Sequence, residues 1–473
     1  MPPMGLCYLA GALRQTGADC RILDLAARIP EFSYAEQRDD INDIVAQELG
    51  EQPALIGIGP LVTATLRATQ MIIRSCRAVS EAPIVVGGPL CAVPGVSTVM
   101  REYLQPTWYI AGDGETPIVE LWSAMRSGRA PSAPGLASPE QREPAPYREV
   151  DLDALALPAR DLLHEGYRAS ARRSSGNGHG TVTPAFLSRG CPYSCTFCAA
   201  PLSAGRTVRR LSPAAISREL ADIFTLGYDH IVFYDDCLFI RSPQLDSRVL
   251  EFTDALQVSP WRGTFQLELR CDAVVALSSA ALEALQAAGC IQINMGIEKA
   301  HVDTLALLQK RLSPEIARAA IERLRTTRIR AAGTFILGGP GESRSHVEQT
   351  IEFALSSHLD FAHFNPLAIY PGTRLFSDVY GTAPNWLDLC LDPTIAPNGD
   401  ILWAGPQMAM AELVGLLADA YRRFYTTGRL DRLKAKLRAN EIAPLSDAYT
   451  VLGESRATSW RHLSTSDPKG GVC

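Results

Sequence analysis

The chain has 473 residues, 47% of them hydrophobic and 20% charged, the profile of a globular protein long enough for two to four domains of roughly 100–200 residues. Its net charge of −6 leaves no broad basic surface for nucleic acid. No apolar run approaches the ~18 residues a membrane span needs, and the opening "MPPMGLCYLAGALRQTG" lacks the basic leader and cleavage site of a signal peptide.

Residues 1–127 read as alternating helix and strand. "MGLCYLAGALRQTG" (4–17) has helical apolar spacing and stops at Gly17, and "CRILDL" (20–25) reads as a short strand. "ALIGIGP" (54–60) and "PIVVGGP" (83–89) are buried strands ending in glycine, with the amphipathic helix "TLRATQMIIRSCRAVS" (65–80) between them. "WYIAGDGETPIVELWSAM" (108–125) is a strand, a glycine-rich turn and a helix. This order implies a parallel sheet covered on both faces, with glycines at the carboxyl ends of strands, where open sheets bind ligands.

Residues 128–180 read as a linker. Proline and polar residues dominate 129–150, and "RASARRSSGNGHG" (168–180) is basic and rich in Gly and Ser. "LPARDLLHEGY" (157–167) is expected across a domain face. From 181 to 380 the alternation resumes. The strands are "TPAFLSRG", "HIVFYD", "TFQLELR", "CIQINMGIE", "RAAGTFILGG" and "FAHFNPLAIY", separated by helices such as "SPAAISRELADIFTLG" and "SSAALEALQAAG". Six strands with crossover helices fit an incomplete parallel barrel. Residues 381–473 read as helical, most clearly over 411–442.

Twelve cysteines in this length do not make a disulfide scaffold, and nine of them are scattered among apolar neighbours as reduced thiols, which points to the cytoplasm. The other three, Cys191, Cys195 and Cys198, fall within eight residues of "SRGCPYSCTFCAAP" (188–201). Structural zinc wants four ligands, and the next cysteine, Cys237, is distant in sequence; His179 lies in a solvated loop. Three thiolates suit an iron–sulfur cluster with one iron left open. Zinc and unliganded thiols remain the alternatives.

The Cys-x3-Cys-x2-Cys loop, with the aromatic Phe197 before its third cysteine, resembles the radical S-adenosylmethionine (SAM) superfamily. The resemblance continues through "VFYDD" (232–236), "LELR" (267–270), "MGIEKA" (295–300), "GTFILGGPGES" (333–343) and "YPGTRLF" (370–376). It implies a [4Fe-4S] cluster on the three cysteines, with SAM on its fourth iron. It further implies Asp235 or Asp236 at the SAM amino group, Arg270 at its carboxylate or ribose, Glu298 at a strand end, and Phe197, Ile336, Gly338 and Gly339 around adenine. An electron donor of flavodoxin or ferredoxin type is the implied partner.

Residues 1–127 resemble the Rossmann-like cobalamin-binding domain that precedes this barrel in one large subfamily. Gly57, Gly59, Gly87, Gly88, Gly112 and Gly114 are the implied cobalamin approach. Two departures stand out: the family's first strand is missing, and there is no Asp-x-His-x-x-Gly to supply a lower cobalt ligand.

The fold expected is α/β: a cobalamin-type domain, a partial (β/α)6 barrel and a helical C-terminal region. The leading function is cobalamin-dependent methylation of an unactivated carbon in natural-product biosynthesis. The alternatives are cobalamin-independent radical dehydration, epimerisation or rearrangement of a small molecule, and a non-catalytic metal-binding module. For substrate contact the candidates are His363, Asn365 and Tyr370, and Cys237 beside the acidic pair.

Overall fold

The computed structural model describes residues 2–28, 38–50, 52–60, 63–165, 167, 181–381, 385–396, 399–426 and 428–429. In the first sheet β1 (Ile56–Ile58), β2 (Ile84–Gly87) and β3 (Trp108–Ile110) run parallel in that order, and β4 (Leu136–Ala137) adds antiparallel to β3. Side chains alternate across it. Val85 and Ile110 pack with Ile118 and Leu121 of the helix Glu115–Ser127, against which the helix Met4–Arg14 rests. Ile84, Val86 and Tyr109 face the other way, onto Leu66 and Ile73 of the helix Leu66–Val79 and Ile41 and Val45 of the helix Arg38–Glu48.

The strand expected at "CRILDL" does not form. Residues 21–24 carry no regular structure and Leu25–Arg28 is a helical turn. No described strand pairs with β1 on its outer side, so this stretch has no ladder to join. Leu23 and Leu25 pack instead as side chains against the core below β1 and β2.

β5 (Val182–Ala185) opens the second sheet, and β6 (Ser188–Arg189) and β7 (Arg209–Arg210) form a small antiparallel hairpin beside it. β8 (His230–Phe233), β9 (Thr264–Leu269), β10 (Cys290–Glu298), β11 (Arg330–Leu337) and β12 (Phe361–Pro366) follow. The sheet order is β5-β8-β9-β10-β11-β12, every pair parallel, and β12 does not return to β5. It is an open half-barrel. The crossover helices start cleanly because Ser212, Ser278 and Ser313 each accept a backbone N–H of the first turn, and Pro213 and Pro314 follow two of them. "TPAFLSRG" breaks into β5 and β6 because the N–H groups of Leu187 and Ser188 turn to the Asp235 carboxylate rather than to β8.

Strand alternation sorts this sheet. Phe265, Leu267 and Leu269 of β9, Ile293, Met295 and Ile297 of β10, and Phe335 and Leu337 of β11 lie in one core with the helices. The intervening residues face the concave lumen. At the free edge, the hydroxyls of Tyr421 and Tyr425 each bond both the N–H and the carbonyl of Phe364 and Ala362 respectively. The helix Met410–Phe424, which carries Tyr421, thereby closes an edge that would otherwise invite pairing. The expected helix over 411–442 is seen to Phe424; from 430 onward it lies outside the described residues.

Residues expected to be linker hold the two sheets together. Arg160, fully buried, pairs with Glu219 at 2.5 Å and Asp222 at 3.4 Å on the outer face of the second sheet, while Ala159 donates to the Cys7 carbonyl. Tyr147 pairs with Gly112 beside β3.

Candidate active site

The cysteine loop leaves the second sheet at its carboxyl rim and is gripped from several sides. Oδ1 of Asp235 accepts from Leu187 N–H (2.9 Å), Ser188 N–H and the Ser188 hydroxyl (2.7 Å). Gly190 N–H reaches Asp236 (3.3 Å), and Cys191 N–H reaches the Gly205 carbonyl (3.0 Å). The Arg270 guanidinium lies 3.8 Å from the Tyr193 ring centre, and Arg206 donates to the Tyr193 carbonyl. Thr196 is bonded through its N–H to Leu308 and through its carbonyl to Leu375. The backbone is fixed, and the thiols of Cys191, Cys195 and Cys198 are free and half-buried.

Among the described residues no three His, Cys, Asp or Glu side chains converge on a point that could hold a single metal ion. A cubane presents a separate iron to each thiolate, so three sulfurs on one curved loop suit it without meeting at a point. The thiols differ in protonation. Cys237 touches Cys191, and this thiol–thiol hydrogen bond brings Cys191 down to about 6 while pushing Cys237 up. Burial raises Cys195, and it raises Cys198 to about 11.

Around the loop lie the other expected residues. Arg270 is bonded to Asp272 (3.0 Å) and to the Lys310 carbonyl (2.8 Å) as well as stacked on Tyr193. Phe197 and Ile336 both pack against the apolar cluster that runs from the first sheet to the residues after β12. Asp235 is buried; among the described residues its Oδ2 has no partner, and burial raises its carboxyl to about 7. Asp236 is exposed beside the start of the cysteine loop. Glu298, at positive φ (68°), forms an ion pair with Lys310. Thr334 and His363 pair across β11 and β12, one step below Ile336 and Asn365, so His363 and Asn365 share the lumen-facing alternation. Tyr370 is partly buried near Cys198 and Asp400, its hydroxyl raised to about 12 by burial. His179 lies outside the described residues.

The glycines separate into two kinds. A Cβ on Gly88 would meet the Pro60 carbonyl at 2.7 Å, one on Gly112 would strike the Tyr147 carbonyl, and one on Gly114 would meet Leu9 at 2.9 Å. Gly59 is close to Leu6, and Gly338 and Gly339 are close to Trp403 and Leu367. The protein's own packing requires these positions to be small. Gly87 has nothing within 4 Å, and Gly57 only a side chain at 4.0 Å. At the carboxyl end of β2, Gly87 opens a space beside Pro89–Ala92, on which the helix Ala200–Ala204 of the cysteine loop rests.

Sequence reasoning missed the buried partners. Lys310 belongs to no motif. Lys299, fully buried, bonds Glu342 at 2.5 Å and the carbonyls of Ile336 and Gly338, fixing the turn after β11. Asp113 and Glu115 of the first sheet pair with Arg189 and Arg209 of the hairpin that carries the cysteines. The "GDGE" turn was visible; its partners, some 75–95 residues later, carry no local signal.

An open parallel half-barrel with a three-cysteine loop at its carboxyl rim, facing the carboxyl edge of a second parallel sheet, defines a two-cofactor α/β enzyme architecture. Residues 186–354 match the radical SAM superfamily and residues 1–121 match the B12 binding domain. The chain therefore carries a radical SAM domain preceded by a B12-binding domain, and is a radical SAM enzyme. It is 29% identical over 433 residues to an uncharacterized methyltransferase of Pyrococcus horikoshii, covering 90% of this chain and 88% of the relative. It is 26% identical to the hopanoid C-3 methylase of Methylococcus capsulatus, covering 79% of this chain and 68% of that one. In fold it is similar to the radical SAM methyltransferase TsrM of Kitasatospora setae, solved with cobalamin and a [4Fe-4S] cluster bound (TM-score 0.71, 19% identity, 98% of this chain and 97% of that chain). The cobalamin-dependent radical SAM enzyme OxsB is also similar (TM-score 0.67, 14% identity, 97% and 73%). Among the described residues no helix is long and apolar enough to cross a membrane.

Proposed function

We propose that this chain is a cobalamin-dependent radical SAM methyltransferase acting on an unactivated carbon of a small molecule in natural-product biosynthesis. The observation that carries this reading is that the loop with the three free thiols runs into the helix Ala200–Ala204, which rests on Pro89–Ala92 beside the uncrowded Gly87 at the carboxyl end of β2. Cys191, Cys195 and Cys198 would hold a [4Fe-4S] cluster. Phe197 and Ile336 would hold adenine, and Asp236 and Arg270 the polar end of SAM. The space at Gly87 would admit the corrinoid, with no histidine as lower ligand. Reduction of SAM at such a cluster, by a donor of flavodoxin or ferredoxin type, supplies a radical that takes hydrogen from the substrate, and the corrinoid supplies the methyl group. This chain's residues orient both cofactors on one rim and shield the reacting carbon from water.

A specific observation keeps one alternative in view. Most of the expected cobalamin glycines are explained by packing against Pro60, Tyr147, Leu6 and Leu9, which fits a first sheet that serves as a scaffold. Anaerobic reconstitution with iron, sulfide, SAM and dithionite, with and without hydroxocobalamin, separates the two. The methyltransferase reading expects ~4 irons per chain, 5′-deoxyadenosine formation and stoichiometric corrinoid after desalting. An iron-loaded protein that retains no corrinoid supports the cobalamin-independent reading. Zinc uptake without iron rejects both.

A further inference from the structure

The lumen beneath the cysteine loop holds a row of hydrogen-bonding side chains with a direction. On β10, Gln292 donates its amide N–H to the Asn294 carbonyl oxygen (2.7 Å). Asn294 sits opposite Glu268 of β9 and donates to its Oε1 (3.0 Å). The row ends there. Among the described residues, Oε2 of Glu268 has no hydrogen-bond donor, and Tyr234, following β8, is its electrostatic neighbour on the other side.

The positive charges nearby are occupied. Lys310 pairs with Glu298 over the bare backbone of Gly296, where a Cβ would strike the Lys310 ammonium. Arg270 pairs with Asp272 and lies on Tyr193. The lumen wall thus presents one carboxylate oxygen without a matching donor, two residues below the rim arginine that supports the cysteine loop. Unlike the sealed Oδ2 of Asp235, this oxygen is not closed off in the interior, so a ligand entering the lumen can reach it. Gly296 above is covered by the Lys310–Glu298 pair, whereas Ala332 and Thr334 keep the neighbouring lumen positions on β11 small.

We propose that Glu268, aligned by the Gln292–Asn294 row, is the anchor for a basic amine or comparable N–H group of the substrate, so that the enzyme acts on a nitrogen-bearing polar small molecule and not on a hydrocarbon. The inference rests on the radical SAM reading for the position of the reacting carbon, and it names the substrate class of that same site. An ammonium could also come from SAM itself, so the test has to separate the two sources.

The experiment uses the anaerobically reconstituted, SAM-saturated protein and two isosteric probes, 2-phenylethylamine and 2-phenylethanol, with binding read by ligand-observed NMR. Wild type should bind the amine at least tenfold more tightly than the alcohol, and Glu268→Gln should lose that preference while keeping the cluster absorbance and its affinity for SAM. At about pH 8, where the Glu268 carboxyl is ionised, Glu268→Gln should also melt at a higher temperature than wild type in the absence of ligand, since it keeps the acceptor for Asn294 and removes the unmatched charge; a merely structural carboxylate would melt lower. Equal binding of amine and alcohol by wild type overturns the proposal, as does a lower melting temperature for Glu268→Gln. Loss of SAM affinity with the amine preference retained assigns the carboxylate to SAM and also overturns it. Cluster content and SAM binding of wild type are read in the same samples, so failure of the radical SAM reading is distinguishable from failure of this one.

Discussion

Arg270 touches three things at once: the Tyr193 ring inside the cysteine loop, the Asp272 carboxylate and the Lys310 carbonyl. It braces the loop through the Tyr193 ring. Arg270→Ala should therefore weaken SAM binding, measured by equilibrium dialysis, roughly tenfold or more, the cost of about one charge-assisted hydrogen bond. Iron content should stay near that of wild type, because the cysteines themselves are untouched. Unchanged SAM affinity would remove Arg270 from the site. Glu268 gives a pH prediction. Burial raises its carboxyl from 4.5 to about 7, while the Asn294 bond and the Lys310 charge pull the other way. A folded-state value above the unfolded one means that the folded protein holds its proton to higher pH. Its contribution to stability is fully present below about 4.5 and is lost as pH rises through about 7. The melting temperature of the ligand-free protein should fall over that window, and Glu268→Gln should flatten the fall. An equal slope in the variant would place the titration elsewhere.

At the scale of elements, Gly87 and Gly112 make opposite predictions although both are glycines at strand ends of one sheet. Gly112 has φ +93° and a Cβ there would enter the Tyr147 carbonyl, so Gly112→Ala should destabilise by ~2 kcal/mol or more in denaturant titrations. Gly87 faces open space, so Gly87→Leu should leave the denaturation midpoint almost unchanged and abolish corrinoid retention. Retention by Gly87→Leu would move the corrinoid away from this crevice. Such differences mark the limit of what sequence shows. The strands β1 to β3 and the six of the half-barrel were legible because their apolar runs are bounded by glycine, proline or a Ser cap, all local signals. The strand at "CRILDL" was read wrongly because pattern alone does not reveal whether a neighbour exists to pair with. The three cysteines were legible from spacing. Asn294 and Gln292 were not, since their significance comes from register between strands, and Lys310 was not, since its loop reaches Glu298 only in the folded chain. The six N-terminal glycines looked alike in sequence; only the atoms opposite each one separate packing from opening.

For the molecule as a whole, the question is what holds the two sheets at a fixed distance, since the helix after the cysteine loop rests on the segment that follows β2. The answer centres on Asp113. Its carboxylate takes Arg189 at 3.2 Å and Arg209 at 2.5 Å, and also accepts Glu149 N–H at 2.8 Å; Glu115, two residues on, completes the hold on Arg189. Arg189 stands two residues before Cys191, and Asp113 stands in the turn between Gly112 and Gly114. All four ionic side chains are at least four-fifths buried. Removing one member of a buried network leaves charges without partners, which typically costs ~3–5 kcal/mol, far more than a surface pair contributes. Arg160 makes a second tie, to Glu219, on the opposite side of the linker, but it does not touch the cysteine hairpin. Asp113→Ala should consequently loosen the cysteine hairpin from the first sheet without unfolding either. Scanning calorimetry of this variant should show a lowered and broadened transition, separating into two as the sheets unfold independently, where wild type shows one. Corrinoid retention should fall with it, because the crevice loses one wall's fixed position, while the iron content of the reconstituted protein persists. A single transition at the wild-type temperature would show that Arg160 and the apolar contact between Ala200–Ala204 and Pro89–Ala92 are sufficient to hold the sheets together.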